Sequence, residues 1–232
     1  MARVHRTADM APHHAPAVGQ SAARLEQHDD AGLRDIRFRL LVGTDGWDRL
    51  PAAVRARFSK RLAGTRVALY AGSVVETRLS RAGWLLAQWL RPLGAPLPLG
   101  READVAAVVC VSEDAASGGQ CWSRLYARRR GVPQVIHSSK AFAGPTGLEA
   151  QVGLGIGMAL VVTANEDGLV FASDHFFWRV SGLRLRLPGW LTPGRTTVVH
   201  RDLGEGRFAF DLDIRHPWLG ELLHQHAIFH DL

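Results

Sequence analysis

Phe208-Ala-Phe-Asp-Leu-Asp-Ile-Arg215 is the stretch that decides the fold. Phe208, Phe210, Leu212 and Ile214 alternate with Ala209, Asp211, Asp213 and Arg215. Successive side chains on a strand point to opposite faces, so this segment has one apolar face and one wet face. Gly204-Glu-Gly206 precedes it and Pro217-Trp-Leu-Gly220 follows, both of which are turn compositions.

Working outward, the same reading extends through everything after Glu102. Val105, Ala107, Val109 and Val111 form one face of a strand, and the polar run 113–119 turns the chain. Gln120, Trp122, Arg124 and Tyr126 alternate with Cys121, Ser123 and Leu125. Further strands are expected at Val135–Phe142, Met158–Thr163, Leu169–Val180, Leu183–Leu187 and Thr196–Arg201. Asn165-Glu-Asp-Gly168 is a strong hairpin signal. Eight to ten strands joined by short turns favour a meander that curls into a barrel or half-barrel. One strand departs from the alternation. In Leu169–Val180, Val170, Ala172, Phe176, Trp178 and Val180 fall on one face by simple parity, and Leu169, Phe171 and Phe177 on the other. Both faces are apolar, so the strand is expected to be covered twice, with Ser173, Asp174, His175 and Arg179 embedded in it.

The part before Glu102 is mainly helical. Trp47, Leu50, Val54 and Phe58 recur at steps of three and four, which stack on one helix face, and 43–46 and Pro51 divide the run into two helices. Val67–Thr77 reads as a strand. Residues 79–91 form a helix that is apolar almost all round, with Trp84 and Trp89. The core is its expected place; docking on a partner or a membrane surface is the other. Residues 1–30 lack periodicity and read as a disordered tail, leaving 31–232 as one α+β domain: N-terminal helices and one further helix packed on a strongly curved antiparallel sheet.

Composition narrows the function classes. The chain has 232 residues, 47% hydrophobic, and a net charge of +6 carried almost wholly by arginine. Arg128-Arg129-Arg130 is the longest basic run, with no stacking motif beside it, which argues against nucleic acid. Cys110 and Cys121 are too few for a disulfide scaffold and suit a reducing compartment, read as two free thiols. With no signal peptide at the start and no run near the ~20 apolar residues of a membrane span, the expected location is cytoplasmic.

Several groupings could carry chemistry. Gly153-Leu-Gly155-Ile-Gly157 has the wrong spacing for a dinucleotide loop and is followed by a strand, so its glycines mark a bulge or a close approach, and no cofactor is expected. His224, His226 and His230 share one side if 224–230 is a strand, and a His-x-His pair with His216, His200 or His175 could reach one zinc. No metal is favoured, because no cysteine or paired-carboxylate motif accompanies them. Asp174-His175 would suit acid–base work, but neighbours on a regular strand face apart. Trp122 and Arg124 share a face, where the guanidinium can stack on the indole. A buried arginine asks for a carboxylate, with Glu149 and Asp174 as candidates, or for the acidic head of a ligand inside the barrel. The candidate ligand-binding set is therefore Trp122, Arg124, Asp174, His175 and Arg179.

A wider pattern joins these pieces. Leu50-Pro51, an apolar helix ending in Pro92, Trp122-Ser-Arg124, Leu187-Pro-Gly-Trp-Leu-Thr-Pro193 and a Phe-x-Phe-Asp strand running into His216-Pro-Trp-Leu-Gly220 occur in order. In this the chain resembles the bacterial domain of unknown function 4166, over about residues 35–230. Such domains stand alone or follow a saccharopine-dehydrogenase-like oxidoreductase, so the resemblance implies an oxidoreductase as a possible partner and carries no catalytic residue with it. The expected function is a binding module for an apolar or lipid-like molecule, with Arg124 or Arg179 at its polar end. The alternatives are an enzyme using the histidines, or an accessory domain docking on an oxidoreductase or a membrane through Trp84 and Trp89.

Overall fold

A computed structural model of the chain describes residues 34–92 and 97–232. The expected tail at 1–30, with His13-His14, lies outside the described residues, as do residues 93–96. Asp35–Leu232 forms one compact unit.

Helices α1 (Arg37–Arg49) and α2 (Ala52–Phe58) come first. The break expected at 43–46 is a kink at Gly43, whose φ of 76° is a conformation only glycine adopts easily. Strand β1 (Val67–Leu79) leads to α3 (Arg81–Leu90). Strands β2 (Val105–Asp114), β3 (Gly119–Tyr126), β4 (Gln134–Ala141), β5 (Leu148–Gly153), β6 (Ile156–Ala164) and β7 (Gly168–Val180) follow as a meander. Then come β8 (Leu183–Arg186), β9 (Arg195–Gly204), β10 (Arg207–His216) and β11 (Gly220–Asp231).

All pairings are antiparallel, in the order β6-β5-β4-β3-β2-β1-β11-β10-β9-β7-β8, and β6 also pairs with β7. That last pairing closes the sheet into a ten-stranded barrel, with β8 added as a flap on the far half of β7. The half-barrel alternative is thus corrected. Closure removes the free edges that an open sheet of this length would expose. The periodicity also missed β5: Leu-Glu-Ala-Gln-Val-Gly is short and buries a glutamate.

The barrel has two unlike ends. One holds the starts of β1, β3, β5, β7 and β10, and is covered by α1 and α2. Phe38, Trp47, Leu50, Val54 and Phe58 pack there against Leu148, Leu169 and Phe171. Phe38 meets Phe58 edge-on at 5.0 Å and Phe142 at 5.1 Å. The other end holds α3, the β7–β8 flap, the 3₁₀ turn Gly189–Leu191 and the β10–β11 turn.

Helix α3 is not a core helix. Ser80 caps it by accepting from the Gly83 amide (3.1 Å). Gly83 lies so close to β11 that a Cβ there would sit 2.0 Å from the Leu222 carbonyl oxygen. Ala82, Leu86 and the Leu79–Leu222–Leu223 cluster form its contact, while Trp84, Leu85 and Trp89 face solvent. Ten residues cannot bury every face against one sheet edge.

The inner face of the Phe208 strand is as its alternation predicts: Phe208 is buried, and Phe210, Leu212 and Ile214 line the interior. Its outer face is drier than expected, with Ala209 and Asp211 buried. Strand β7 does not keep simple parity. Pairing with β6 shifts register between Ala159/Leu160, where Ser173 and His175 are matched and Asp174 is skipped. This bulge moves Phe176 to the same inner face as Phe171 and puts His175, Phe177 and Arg179 outside. The strand is covered twice, as expected, but by a different split of its residues.

Candidate functional site

The barrel interior holds a cavity of ≈ 300 Å³. Its wall is mostly apolar, with Val109, Ile136, Met158, Leu160, Phe176 and Phe229 among its residues. It runs from Trp122, Lys140 and Phe171 deep inside to Leu90, Leu187, Leu191 and Pro193 at the end away from α1 and α2, where Leu191 is exposed. Pockets of such size and apolarity, with a few placed polar groups, are the usual form of small-molecule sites.

Two adjacent strands supply the basic and phenolic groups, and Thr192, Thr196 and Gln225 add further polar ones. Trp122, Arg124 and Tyr126 alternate inward along β3, and Ile136, Ser138 and Lys140 along β4. The register pairs Trp122 with Ser138 and Arg124 with Ile136, so the inward groups form a contiguous patch. Arg124 donates to Ser138 Oγ (3.1 Å), and its Cζ lies 5.5 Å from the Trp122 ring. Lys140 Nζ sits 3.5 Å from the centre of the same ring and 5.0 Å from that of Phe171. Trp122 is fixed by donating from Nε1 to Gln120 Oε1 (3.1 Å). Among the described residues, neither Arg124 nor Lys140 forms an ion pair. Burial, and then the charge of Arg124, pull the Lys140 ammonium well below the usual lysine range. Burial also lowers Arg124, while it raises the Tyr126 phenol.

Of the five residues expected to form the site, Trp122 and Arg124 line this cavity. Asp174, His175 and Arg179 do not; the bulge in β7 turns them outward. There they belong to an ion-pair cluster on the barrel's outer surface. Glu149, fully buried, receives Arg179 Nη2 at 2.8 Å and Arg184 Nη2 at 3.1 Å. Arg184 also donates to His175 Nε2 (2.9 Å), so the proton lies on Nδ1, which donates to Asp174 (2.6 Å). The bulge is what lets sequence neighbours bond directly, against the expectation from a regular strand. Neither Glu149 nor Asp174 serves Arg124. His175 lies outside the cavity, so the acid–base reading loses the position it required.

His224, His226 and His230 do share the outer face of β11, because Gln225, Ala227 and Phe229 face inward. His224 and His226 have carboxylate neighbours, and His230 is exposed. His224 pairs with Asp213 (2.9 Å), and His226 with Asp211, which also takes Arg201 at 2.6 Å. His216 Nδ1 accepts the amides of Trp218 and Leu219 in the β10–β11 turn. His200 is buried below the cavity, stacked on Phe208 at 5.0 Å. Among the described residues no three His, Cys, Asp or Glu side chains come together as a metal site. Cys110 lies opposite Ser123 and Cys121 opposite Ser112, both half-buried and free.

Sequence reading missed Lys140 as a site residue. Its signal was present: a lysine in step with Ile136 and Ser138 on an apolar face. Only the β3–β4 register brings that face to Trp122.

Two hairpin glycines fit their expected roles. Gly157 lets the Phe177 ring approach within 2.6 Å of where a Cβ would be, and Leu154-Gly155 forms the β5–β6 turn with positive φ at both residues. No helix among the described residues is long and apolar enough to cross a membrane.

Comparison with known proteins is consistent with the geometry and adds no chemistry. No curated protein matches the chain, and no solved structure matches it. The profile of one family, described as Domain of unknown function (DUF4166), matches residues 50–229. That span runs from the Leu50-Pro51 corner below the barrel to Phe229 in its last strand, and the chain belongs to this family.

Proposed function

We propose that the barrel is a binding module for a small amphiphile with an apolar body and one anionic group, taken up with the anion innermost. The observation that carries this reading is the pair of basic side chains, Lys140 buried and Arg124 half-buried, in an apolar cavity with no carboxylate partner among the described residues. Uncompensated buried charge is costly, and a ligand carboxylate or phosphate would relieve it. Tyr126 and Ser138 stand beside the cations as further hydrogen-bonding groups, and the Trp122 ring would flank the ligand. Toward the open end the wall becomes aliphatic, which suits an alkyl or isoprenoid body.

Titration calorimetry with dodecanoate and dodecanol tests the reading. Dodecanoate should bind at least tenfold more tightly than dodecanol. Lys140→Met and Arg124→Met should each weaken dodecanoate by about ten- to a hundredfold, the worth of a charge-assisted hydrogen bond, and leave dodecanol unchanged. Equal binding of both probes, or binding of neither by folded protein, would overturn it.

A further inference from the structure

We propose that the open end of the barrel docks on the surface of an anionic lipid bilayer. The topology gathers unlike segments there. Because the strands alternate in direction, the connections at 80–92 and 97–104, 127–133, 154–155, 181–194 and 217–219 all emerge at the end away from α1 and α2. These connections and the adjoining strand ends carry five of the seven tryptophans. Trp84, Trp89, Trp178, Trp190 and Trp218 are exposed by 44, 77, 43, 63 and 78%, whereas Trp47 and Trp122 elsewhere in the fold are buried. Leu85, Leu154, Leu183, Leu191 and Leu219 are exposed beside them. Large apolar side chains gathered at one end, and contributed by four separate connections and the end of β7, are not a by-product of packing one helix.

The charge at the same end selects the occupant. Segments 80–104, 127–133, 180–195 and 215–221 contain ten arginines against three carboxylates, Glu102, Asp104 and Glu221. Eight of the ten form no ion pair among the described residues; Arg184 and Arg215 are the exceptions. The hairpin tips at the opposite end are acidic, with Asp114, Glu166, Asp167 and Glu205. The open end is thus basic and aromatic, whereas at the other end those acids stand among the arginines of α1 and α2 and the two signs mix. Indoles favour the headgroup layer of a bilayer, and arginines are attracted to anionic headgroups. Helix α3 is too short to span and presents Trp84, Leu85 and Trp89 outward, as an in-plane interfacial helix does.

The ring surrounds the place where the cavity wall reaches solvent at Leu191 and Pro193. Docking would set that mouth against lipid, so that an amphiphile passes between bilayer and barrel without crossing water. This consequence rests on the ligand reading proposed above; the docking itself does not.

Flotation of the full chain with vesicles of phosphatidylcholine alone, or with a third phosphatidylglycerol, tests it. Partition should be at least tenfold stronger on anionic vesicles and should fall at least tenfold between about 0.1 and about 0.5 M salt. Tryptophan emission should shift to the blue on binding. Trp190→Ser with Trp218→Ser, neither of which lines the cavity, should lower partition about tenfold without changing the Tm. Lys140→Met should bind vesicles like the parent, which separates failure of docking from failure of the cavity reading. Indifference to headgroup charge would overturn the proposal, as would full partition of the double tryptophan variant. Light scattering that shows a dimer whose formation hides these tryptophans would overturn it too, in favour of a second copy.

Discussion

His200 makes the floor of the barrel acid-labile, and His200→Leu should remove the lability. The imidazole is 1% exposed, stacked on Phe208 and met edge-on by Phe58 and Phe210 at 5.0 Å. Burial, and then the neighbouring Arg57 guanidinium, push it down from 6.5 to about 3; Asp231 acts weakly in the other direction and Lys140 with Arg57. Between those two values the unfolded chain holds a proton that the folded chain refuses. Stability from this group is therefore complete above pH 6.5 and is lost as the pH falls from 6.5 toward 3. At about pH 4.5 the unfolded imidazole is almost fully charged and the folded one almost wholly neutral. The difference is about two pH units of linkage, or roughly 3 kcal/mol. Urea unfolding followed by tryptophan fluorescence at about pH 7.5 and about pH 4.5 measures it. The parent should lose roughly 3 kcal/mol more than His200→Leu between the two conditions, because the carboxylates titrate in both proteins and cancel. Equal losses, within about 0.5 kcal/mol, would refute the assignment. A His200 ring resonance in the parent that titrates near pH 6.5 would refute it independently.

Two further substitutions test the packing that frames the cavity. Gly83→Ala would ordinarily strengthen a helix by about 1 kcal/mol, but the Leu222 carbonyl leaves no space for a methyl group. It should instead destabilise by about 1–3 kcal/mol in urea unfolding, and a gain in stability would show that α3 does not seat on β11 as described. Glu149→Gln leaves Arg179 and Arg184 facing each other without their carboxylate. Both arginines are partly solvated, so the cost should be about 1–3 kcal/mol, with faster proteolysis at the β7–β8 flap. Unchanged stability and cleavage would mean that the flap is held by its apolar contacts alone.

Sequence pattern reached most of the strands but not the closure. The β2, β3 and β10 alternations and the 165–168 and 204–206 turns are local, and each was legible because period two and turn chemistry are written in consecutive residues. The helix break at Gly43 was legible for the same reason. β5 was not, because its buried Glu149 contradicts a strand face until Arg179 and Arg184 arrive from β7 and β8. The β7 faces were misread because a bulge is one extra residue that only the partner strand reveals.

The sequence by itself determined that the chain builds a curved antiparallel sheet with helices before it, and that Trp122 and Arg124 share a face. Local periodicity and turn composition suffice for both. Only the tertiary structure decided that the sheet closes, that Lys140 joins Trp122 and Arg124 while His175 and Arg179 do not, and that five scattered tryptophans meet at one end. Those outcomes depend on the register within hairpins, β6 with β7 and β3 with β4, and on the pairing of β1 with β11 from opposite ends of the described chain. Register is set by which faces are buried together, a property of the closed barrel rather than of any one strand.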